Sequence, residues 1–529
     1  MAAVLEPDPM APMPSGISLA IPPARTSAPL IAGRQQLQAQ GVAGFGGVKP
    51  LRPPKSPPPR ATRIDPNRML SPSAPSARAL RLRGPGAPLP PAGAPAVAAM
   101  PVVTTLEGGS DDGTTIPPDT QAAASTTHII NPLNNNIHVI DLANPSAPTV
   151  VALDAFWSRP HCFDPKVVYD PNVDRFVFVV MADAAQATSS FLVAVSASGD
   201  ATGQWHFQSV AVDPAVQGQV WMDYPSLGLT ADKVTVQVNL YTLAAPHAFA
   251  GSSVYVFDKT SLMTPASPSA VTRFMLPNQG AGQVPAVTYD PGVQDQFLVS
   301  SWSGNAGGQG SLAVWKITGS PANNTTAITR VGFVPAAGSW NSFPSVAELA
   351  PQSGIADRLD VGDDRLLSVV NRNGTLYGCH TVYLPTGAGT RSAVQWWEIS
   401  TASWSASLGL LDDPAGATFY AFPSMAINKA GDILIGHARF STLTHPSGAY
   451  LLVPAGGGAQ VAAVFAPGQA TYVQRFGGPK NRWGDYSATQ VDHRDDASFW
   501  TIQEYASPTA DKWATKIAKI TPPPAPPIV

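Results

Sequence analysis

A short motif recurs seven times along the chain, at intervals of 45 to 79 residues. Its clearest copy is Arg482–Asp492, which centres on Ser487. Aligned on that serine, the other copies centre on the following anchor positions: Thr120, Pro165, Pro225, Pro285, Pro344 and Pro423. A period of this size is typical of propellers and repeat arrays, because one small repeat cannot bury its apolar face alone. The repeat therefore constrains the fold more than any other feature of the sequence.

Short apolar runs follow the anchors and are separated by turn residues. From about residue 101 they are rich in Val, Phe, Trp, Tyr and Thr and are punctuated by Gly, Asn, Asp and Pro, which is typical of strands and turns. Arg365–Val370 is predicted as the second strand of the fifth repeat, and Thr471–Phe476 as the fourth strand of the sixth. The 79-residue interval after Pro344 predicts an inserted loop over Ala350–Asp363. Seven repeats of four strands predict an all-β fold, a seven-bladed β-propeller with four-stranded blades.

The last repeat supplies only three strands after its anchor. Val102–Leu106 lies upstream of the first anchor and is apolar enough to be the missing strand. Pairing it beside Lys512–Ile520 would close the ring and hide two sheet edges that otherwise expose unpaired backbone groups. We therefore predict closure of the ring by the N-terminal strand.

The first 100 residues differ from the rest in composition and charge. They hold 21 of the 55 prolines, one Phe and no Trp or Tyr, so they cannot bury enough apolar surface to offset their ordering entropy. They carry 11 Lys/Arg against 3 Asp/Glu, whereas the remainder carries 21 against 32. We predict a disordered basic Pro-rich tail over 1–100, the propeller over 101–522 and a Pro-rich C-terminal tail over 523–529. The basic tail is either a solubilising linker or an attachment to an anionic polymer or surface.

Several classes of protein are disfavoured by the remaining composition. A formal net charge of −3 with 13% charged residues gives no reason to expect a nucleic-acid partner. The first positive side chain is Arg25, so no ordinary signal peptide is recognised, and no run of 18 apolar residues predicts a transmembrane helix. Cys162 and Cys379 are too few for a disulfide scaffold, and whether they pair is open. The oligomeric state is open as well.

The final repeat carries a specific resemblance. Arg482–Tyr486 reads Arg-Trp-Gly-Asp-Tyr, and Phe499–Tyr505 reads Phe-Trp-Thr-Ile-Gln-Glu-Tyr. With Pro117–Thr120 and Asp164–Asp170, these stretches resemble a largely uncharacterised family of bacterial exported seven-bladed β-propellers, some of them labelled sialidase-like. The resemblance spans roughly residues 105–520. It implies an extracellular or cell-surface location, and it transfers no catalytic residue.

The anchor loops converge in a propeller, because the first strand of each blade lines the central channel. Six residues are predicted to bind a ligand at the channel mouth: Asp119, Trp221, Asp223, Arg482, Trp483 and Asp485. The same funnel is predicted to include His161, Asp164, Asn341, Phe343 and Phe422. Aromatic planes beside carboxylates and an arginine suit a sugar ring in a preformed concavity. The alternative is that the tryptophans pack blade against blade and that the aspartates satisfy backbone N–H groups.

Two functions from different classes follow from that funnel. The favoured one is non-enzymatic binding of a glycan or protein. The alternative is a carbohydrate-active hydrolase or lyase, with Asp223, Asp485 and Glu504 as candidate catalytic carboxyls. A sialidase would need three arginines around one substrate carboxylate, and the arginines available are Arg159, Arg372, Arg391, Arg439, Arg475 and Arg482. The turn signature of such enzymes is approximated once, imperfectly, by Ser198–Trp205.

No cofactor or metal is predicted, with two alternatives noted. Ser110–Gly113 and Asp492–Asp496 are oxygen-rich turns that Ca²⁺ accepts, but neither has the spacing of the twelve-residue calcium loop. His161-Cys162 and Cys379-His380 would form a zinc site only if the fold joined them across the channel.

Overall fold

The chain folds into seven antiparallel sheets, numbered here as blades 1 to 7. The computed structural model describes residues 101–524 except 214, 246, 265–268, 277–278, 456–459 and 476–477, together with the backbone of two earlier strands. The predicted all-β seven-bladed propeller with four-stranded blades is confirmed. The strands are given from the innermost outward. Blade 1 has Ala123–Ala124, His128–Pro132, Asn136–Asp141 and Thr149–Ala152, and blade 2 has Cys162–Asp170, Arg175–Ala182, Ser190–Ser196 and Gln204–Ala211. Blade 3 has Val220–Leu229, Lys233–Thr242, Phe249–Asp258 and Ala270–Leu276, and blade 4 has Val284–Pro285, Gln296–Ala306, Gln309–Thr318 and Ala327–Pro335.

The remaining blades follow the same order. Blade 5 has Leu366–Arg372, Thr375–Leu384, Arg391–Ser400 and Ala406–Leu411; blade 6 has Thr418–Ile427, Ile433–Ser441, Thr444–Val453 and Val461–Ala466; and blade 7 has Ala488–Val491, Phe499–Ala506, Trp513–Thr521 and Val102–Ser110. Two short strands from the predicted tail, Ile17–Ala20 and Gln35–Gln36, pair with the outer strands of blades 3 and 2. The rest of the predicted tail up to residue 100, and residues 525–529, lie outside the described residues. Among the described residues, the helices Leu153–Trp157 and Lys259–Leu262 are too short to cross a membrane.

The second strands are buried along almost their whole length. Phe176–Ala182 in blade 2 and Phe499–Ala506 in blade 7 consist entirely of buried residues. Each blade packs on both faces against neighbouring blades, so both side-chain rows of these strands enter a core, and the sequence shows a continuous apolar run instead of alternation. Large aromatics fill the interfaces, and Trp205 between blades 1 and 2 has no exposed surface.

The N-terminal strand closes the ring, as predicted. Val102–Ser110 pairs antiparallel with Trp513–Thr521, with Val103 opposite Ile520. Gly109 lies where the strand comes close to blade 1, and a Cβ there would be 2.4 Å from Leu133 Cδ1. Its N–H donates to the side chain of Asn131 over 3.0 Å, which ties the closing strand to the first blade.

Two strand predictions were wrong. In blade 5 the inner strand is Leu366–Arg372, so Arg365–Val370 is not a second strand, and the Pro344 anchor lies in the strand-free segment 336–365 that precedes it. In blades 2, 3 and 6 the anchor proline lies within a bulge of the inner strand, whereas the inner strand of blade 5 contains no proline. The Phe-Pro-Ser sequence at Pro344 is therefore not equivalent to the anchors of those blades. In blade 6 the outer strand is Val461–Ala466, whereas residues 471–475 form no strand. The alanines of the true strand give it a weak β signal.

Candidate functional site

The inner strands of several blades share a backbone irregularity at the channel mouth. Asp119, Asp164, Tyr224 and Phe422 have φ values of 50°, 53°, 54° and 53°, in the left-handed region. In blades 2, 3 and 6 the strand register shifts at this point, which is the mark of a β-bulge. A left-handed residue other than glycine costs about 1–2 kcal/mol. Bulges of this kind re-aim side chains, and such strain is concentrated at functional positions.

Four carboxyl groups from blades 1, 2, 3 and 7 meet at the mouth, and we call them the carboxyl cluster. They are Asp119, Asp164, Asp223 and Asp485, and each of the first three is influenced by the charge of Asp485. Asp119 Oδ1 accepts the backbone N–H of Asp485 over 3.0 Å, and its Oδ2 accepts from Asn134 over 2.7 Å. The Asn134 side chain in turn accepts the N–H of Asp164 over 2.8 Å. Asp119 therefore also joins the first, second and last blades.

Burial and mutual repulsion raise the pKa values in this cluster. Burial, followed by the charges of Asp485 and Asp164, raises the pKa of Asp119 well above its ordinary value. Burial and then the charge of Asp223 raise the pKa of Asp164 to about 7. Burial and then the charge of Asp485 raise the pKa of Asp223 to about 7, while Arg365 opposes that increase. The mouth therefore presents both protonated and ionised carboxyls near neutral pH.

Cations and tyrosine rings alternate beside the carboxyl cluster. The Lys166 Nζ lies 2.9 Å from the ring centre of Tyr486, and the Arg365 guanidinium carbon lies 4.2 Å from the ring centre of Tyr224. The two tyrosine rings meet edge to face with their centres 6.0 Å apart. These cation–π contacts hold two positive groups next to the carboxyls in a partly desolvated setting. Burial is the main cause that lowers the pKa of Lys166, to about 7.

The sequence-predicted ligand-binding residues divide into two sets. Asp119, Asp223 and Asp485 lie together at the mouth, and Arg482 joins them because its Nη2 is 3.2 Å from Asp485 Oδ1. The other two residues are the buried tryptophans, 0% exposed at position 221 and 2% exposed at position 483. Trp221 has its ring 5.6 Å from that of Tyr241 and edge to face with His247. A ring enclosed in this way serves packing between strands.

Trp483 is enclosed by two other rings. Its ring centre lies 4.9 Å from that of Tyr472 and 5.6 Å from that of Phe440, both edge to face. Glu504, a candidate catalytic carboxyl, is 4% exposed and accepts the Gly484 N–H over 2.9 Å. Burial raises its pKa well above the ordinary value. Glu504 therefore stabilises the Arg-Trp-Gly-Asp-Tyr loop through a buried hydrogen bond to its backbone.

The other residues of the predicted funnel have varied surroundings. The exposed His161 donates its backbone N–H to Asp154 over 3.0 Å, and Phe422 is buried. Asn341 and Phe343 belong to the strand-free segment before blade 5, where the Asn341 side chain donates to the Pro385 carbonyl over 3.0 Å. The hydrogen bonds described for His161, Asn341 and Phe422 go to groups outside the carboxyl cluster.

Sequence reasoning missed the cationic and tyrosine half of the site. Lys166 directly follows the Pro165 anchor, Tyr224 precedes the Pro225 anchor and Tyr486 precedes Ser487, so the repeat alignment already placed all three at the mouth. The tryptophans were predicted as ligand contacts instead, because their large aromatic rings suit a sugar. Arg365 was missed because the blade 5 anchor had been assigned to the wrong segment.

The candidate calcium turns use their carboxylates for neighbouring cations. The Asp492 carboxylate forms ion pairs with Arg494 and Lys519, each at 2.6 Å, and Asp111 Oδ1 lies 3.3 Å from Lys512 Nζ. Among the described residues, no group of three or more His, Cys, Asp or Glu side chains is arranged to hold a metal ion.

The two cysteines lie apart. Cys162 and Cys379 are both free and buried, and they belong to different core clusters. Burial raises the pKa of both thiols well above the ordinary range. The fold therefore does not join their neighbouring histidines into one site.

The sialidase-like features are separate from the mouth. Ser198–Trp205 forms the turn between the third and fourth strands of blade 2, at the end of the blade opposite the mouth, and Trp205 Nε1 donates to Ala201 O over 3.0 Å. The arginines have separate partners: Arg159 with Asp183, Arg372 with Asp496, Arg391 with Asp412, Arg439 with Thr444, Arg475 with Glu348, and Arg482 with Asp485. These contacts hold the six arginines at different acids and hydroxyls instead of around one point.

Comparison with known proteins gives matches among solved structures. No family model and no curated protein matches the chain. It is similar in structure to a protein of unknown function from Dyadobacter fermentans, with 9% identity, a TM-score of 0.37, and coverage of 68% of this chain and 95% of that one. A Trypanosoma rangeli sialidase has 11% identity and a TM-score of 0.35, with coverage of 68% of this chain and 54% of that one. An α-L-arabinofuranosidase from Fusarium graminearum has 10% identity and a TM-score of 0.35, with coverage of 80% of this chain and 98% of that one. At such identities the similarity concerns the fold alone.

Proposed function

We propose that this protein is a non-enzymatic β-propeller of the exported kind, located at the cell surface or outside the cell, that binds a glycan or protein ligand at the channel mouth. The observation that carries the proposal is the carboxyl cluster itself. Four aspartates from four blades are held together although their mutual repulsion opposes folding, and two of them, Asp164 and Asp223, lie at bulges of their strands. Groups that oppose stability in this way are typical of functional sites.

The chemistry of the mouth suits a ligand rich in hydroxyl or amine groups. Ionised carboxylates accept hydrogen bonds, protonated carboxyls also donate them, and Arg365 and Arg482 supply further donors. Asp223 and Asp485 are partly exposed, whereas Asp119 is buried and engaged between blades. We therefore assign ligand contact to Asp223, Asp485 and Arg482, and a positioning role to Asp119. Trp221 and Trp483 are assigned a packing role, in which their buried rings hold the loops at the mouth in place.

Binding to this site should be linked to protons. An amine or hydroxyl that donates to Asp223 favours the ionised carboxylate and lowers its pKa, so the ligand would displace a proton near pH 7. Affinity would then fall as the pH decreases from 8 to 5.

The experiment is a binding screen of the full-length protein against panels of glycans and peptides, followed by calorimetry on the hits in two buffers of different ionisation enthalpy. Asp223→Asn and Asp485→Asn should each weaken binding about tenfold or more, since a hydrogen bond to a charged group contributes about 1.5–3 kcal/mol. Asp112→Asn, in an exposed turn, is the matched control and should bind normally. Normal binding by both mouth variants would contradict the proposal. Immunodetection on intact cells and in the medium tests the location.

A second function is favoured by one specific observation. Asp164, Asp223 and Lys166 all have pKa values near 7, as general acids and bases need for work at neutral pH. A carbohydrate-active hydrolase or lyase would use them. The same glycan panel distinguishes the two functions: product release that disappears in Asp223→Asn or Asp485→Asn indicates catalysis, whereas binding without product indicates the non-enzymatic role.

A further inference from the structure

Behind the mouth, the central channel contains a cavity of about 120 Å³. Residues from all seven blades line it, among them Ser226, Ser368, Ser424 and Ser487. That volume accommodates several water molecules or one compound of a few non-hydrogen atoms. The cavity is separate from the carboxyl cluster, and Lys166 is the residue that borders both.

Lys166 is unusual among the buried lysines described. It is 8% exposed, it lines the cavity, and its ammonium contacts the Tyr486 ring, while no hydrogen bond or ion pair to it occurs among the described residues. Lys259, at 4% exposed, is by contrast paired with Asp170 at 2.5 Å and donates to the Thr230 carbonyl over 2.9 Å. A desolvated amine that makes no described hydrogen bond or ion pair and lines a cavity is the usual arrangement of a nucleophilic lysine.

We propose that Lys166 captures small aldehydes as an imine inside the channel. The neutral Nζ attacks the carbonyl carbon, an N–C bond forms, the C=O π bond breaks, and the proton that the nitrogen gives up is transferred to the carbonyl oxygen, which yields a neutral carbinolamine. A neighbouring carboxyl then protonates the hydroxyl, the C–O bond breaks, water leaves, and the nitrogen loses its proton to the carboxylate. Amine and aldehyde thus give imine and water, with no oxidant or reductant. Of the cluster carboxyls, Asp164 exerts the largest charge effect on Lys166.

The protonation state of the amine supports this chemistry. At pH 7 about half of a lysine with a pKa of about 7 is neutral, against about one part in 3,000 at the ordinary value of 10.5. The titratable and charged groups around it are Asp119, Asp164, Asp485, Arg365, Tyr224 and Tyr486. This inference concerns the channel and does not depend on the ligand proposed for the mouth.

The test is reductive labelling of the folded full-length protein with acetaldehyde and sodium cyanoborohydride, followed by peptide mass spectrometry. Lys166 should be ethylated about tenfold or more faster at pH 7 than the exposed Lys429, while the buried and paired Lys259 stays unlabelled. The ratio of Lys166 to Lys429 labelling should fall above pH 8, because the neutral fraction of Lys166 no longer increases there, whereas that of an ordinary lysine does. Lys166→Arg removes the primary amine, so the adduct at position 166 should be lost while Lys429 is labelled as before.

The relative labelling rates of Lys166 and Lys429 decide whether Lys166 forms the imine. Faster labelling of Lys166 than of Lys429 supports the proposal. Labelling of Lys429 with none at Lys166, or equal rates at both, overturns it. These comparisons are made within one wild-type sample, so they hold even if Lys166→Arg fails to fold.

Discussion

Replacing Asp223 with asparagine should stabilise the protein, and the gain should depend on pH. The substitution keeps the size and an acceptor oxygen but removes one charge from the carboxyl cluster. Burial and the charge of Asp485 raise the pKa of Asp223 from 3.8 to about 7. Between those two pH values the unfolded chain has lost this proton and the folded protein has kept it. The free energy of unfolding therefore falls as the pH rises through that window.

The magnitude follows from the pKa. Moving it from 3.8 to about 7 corresponds to about 4 kcal/mol, at about 1.4 kcal/mol per pH unit. Asp223 is partly exposed and shares its repulsion with Asp485, so about half of this, ~2 kcal/mol, is expected at pH 8. For a propeller of roughly 420 residues the entropy of unfolding is about 0.9 kcal/mol per degree, so Tm should rise by about 2 °C.

Thermal unfolding of wild type and Asp223→Asn, followed by circular dichroism at pH 4 and pH 8, measures this effect. The variant should melt about 2 °C higher than wild type at pH 8 and at the same temperature at pH 4. Asp112→Asn removes one aspartate charge from an exposed turn outside the cluster and serves as the control for the substitution itself. An equal Tm difference at both pH values, or a less stable variant at pH 8, would refute the reasoning that the cluster opposes folding.

Three further predictions concern the body of the propeller. Lys259→Met leaves a buried aspartate unpaired and should cost about 3–5 kcal/mol, or about 4 °C in Tm, whereas Lys316→Met breaks an exposed pair and should cost less than about 1 kcal/mol. Deleting Val102–Ser110 as well as the preceding tail unpairs the edge of blade 7 and should lower Tm by about 5 °C or more relative to deleting the tail alone, since several ladder hydrogen bonds at about 1 kcal/mol each are lost. Cys162 and Cys379 should react with a thiol reagent only after denaturation, and two thiols should titrate without prior reduction.

The loop before blade 5 shows where sequence reasoning stops. The Phe-Pro-Ser sequence at Pro344 matches the repeat in type, but in the fold it lies outside the inner strand. Arg365 occupies the mouth from the true strand start, in contact with Tyr224. A local pattern cannot distinguish an anchor from a similar sequence in an insertion, because strand pairing with the next hairpin decides which segment enters the sheet.

The sequence by itself determined the architecture. Its period, its turn residues and the missing fourth strand of the last repeat were sufficient to predict seven blades and their closure by Val102–Leu106, which lies within the observed strand Val102–Ser110. Such features are repeated many times and are local, so errors in one repeat do not obscure the others. The meeting of Asp119, Asp164, Asp223 and Asp485 was predictable once the ring was assumed, because equivalent positions of a ring share one axis.

Only the tertiary structure decided which of these side chains are available for chemistry. The burial of Trp483 between Tyr472 and Phe440, and the position of Lys166 over the Tyr486 ring, depend on contacts between blades distant in sequence. Desolvation is a property of the whole surrounding volume, and it sets both the pKa values at the mouth and the exposure of each ring. A linear pattern contains the residues of the site but not the packing that gives them their reactivity.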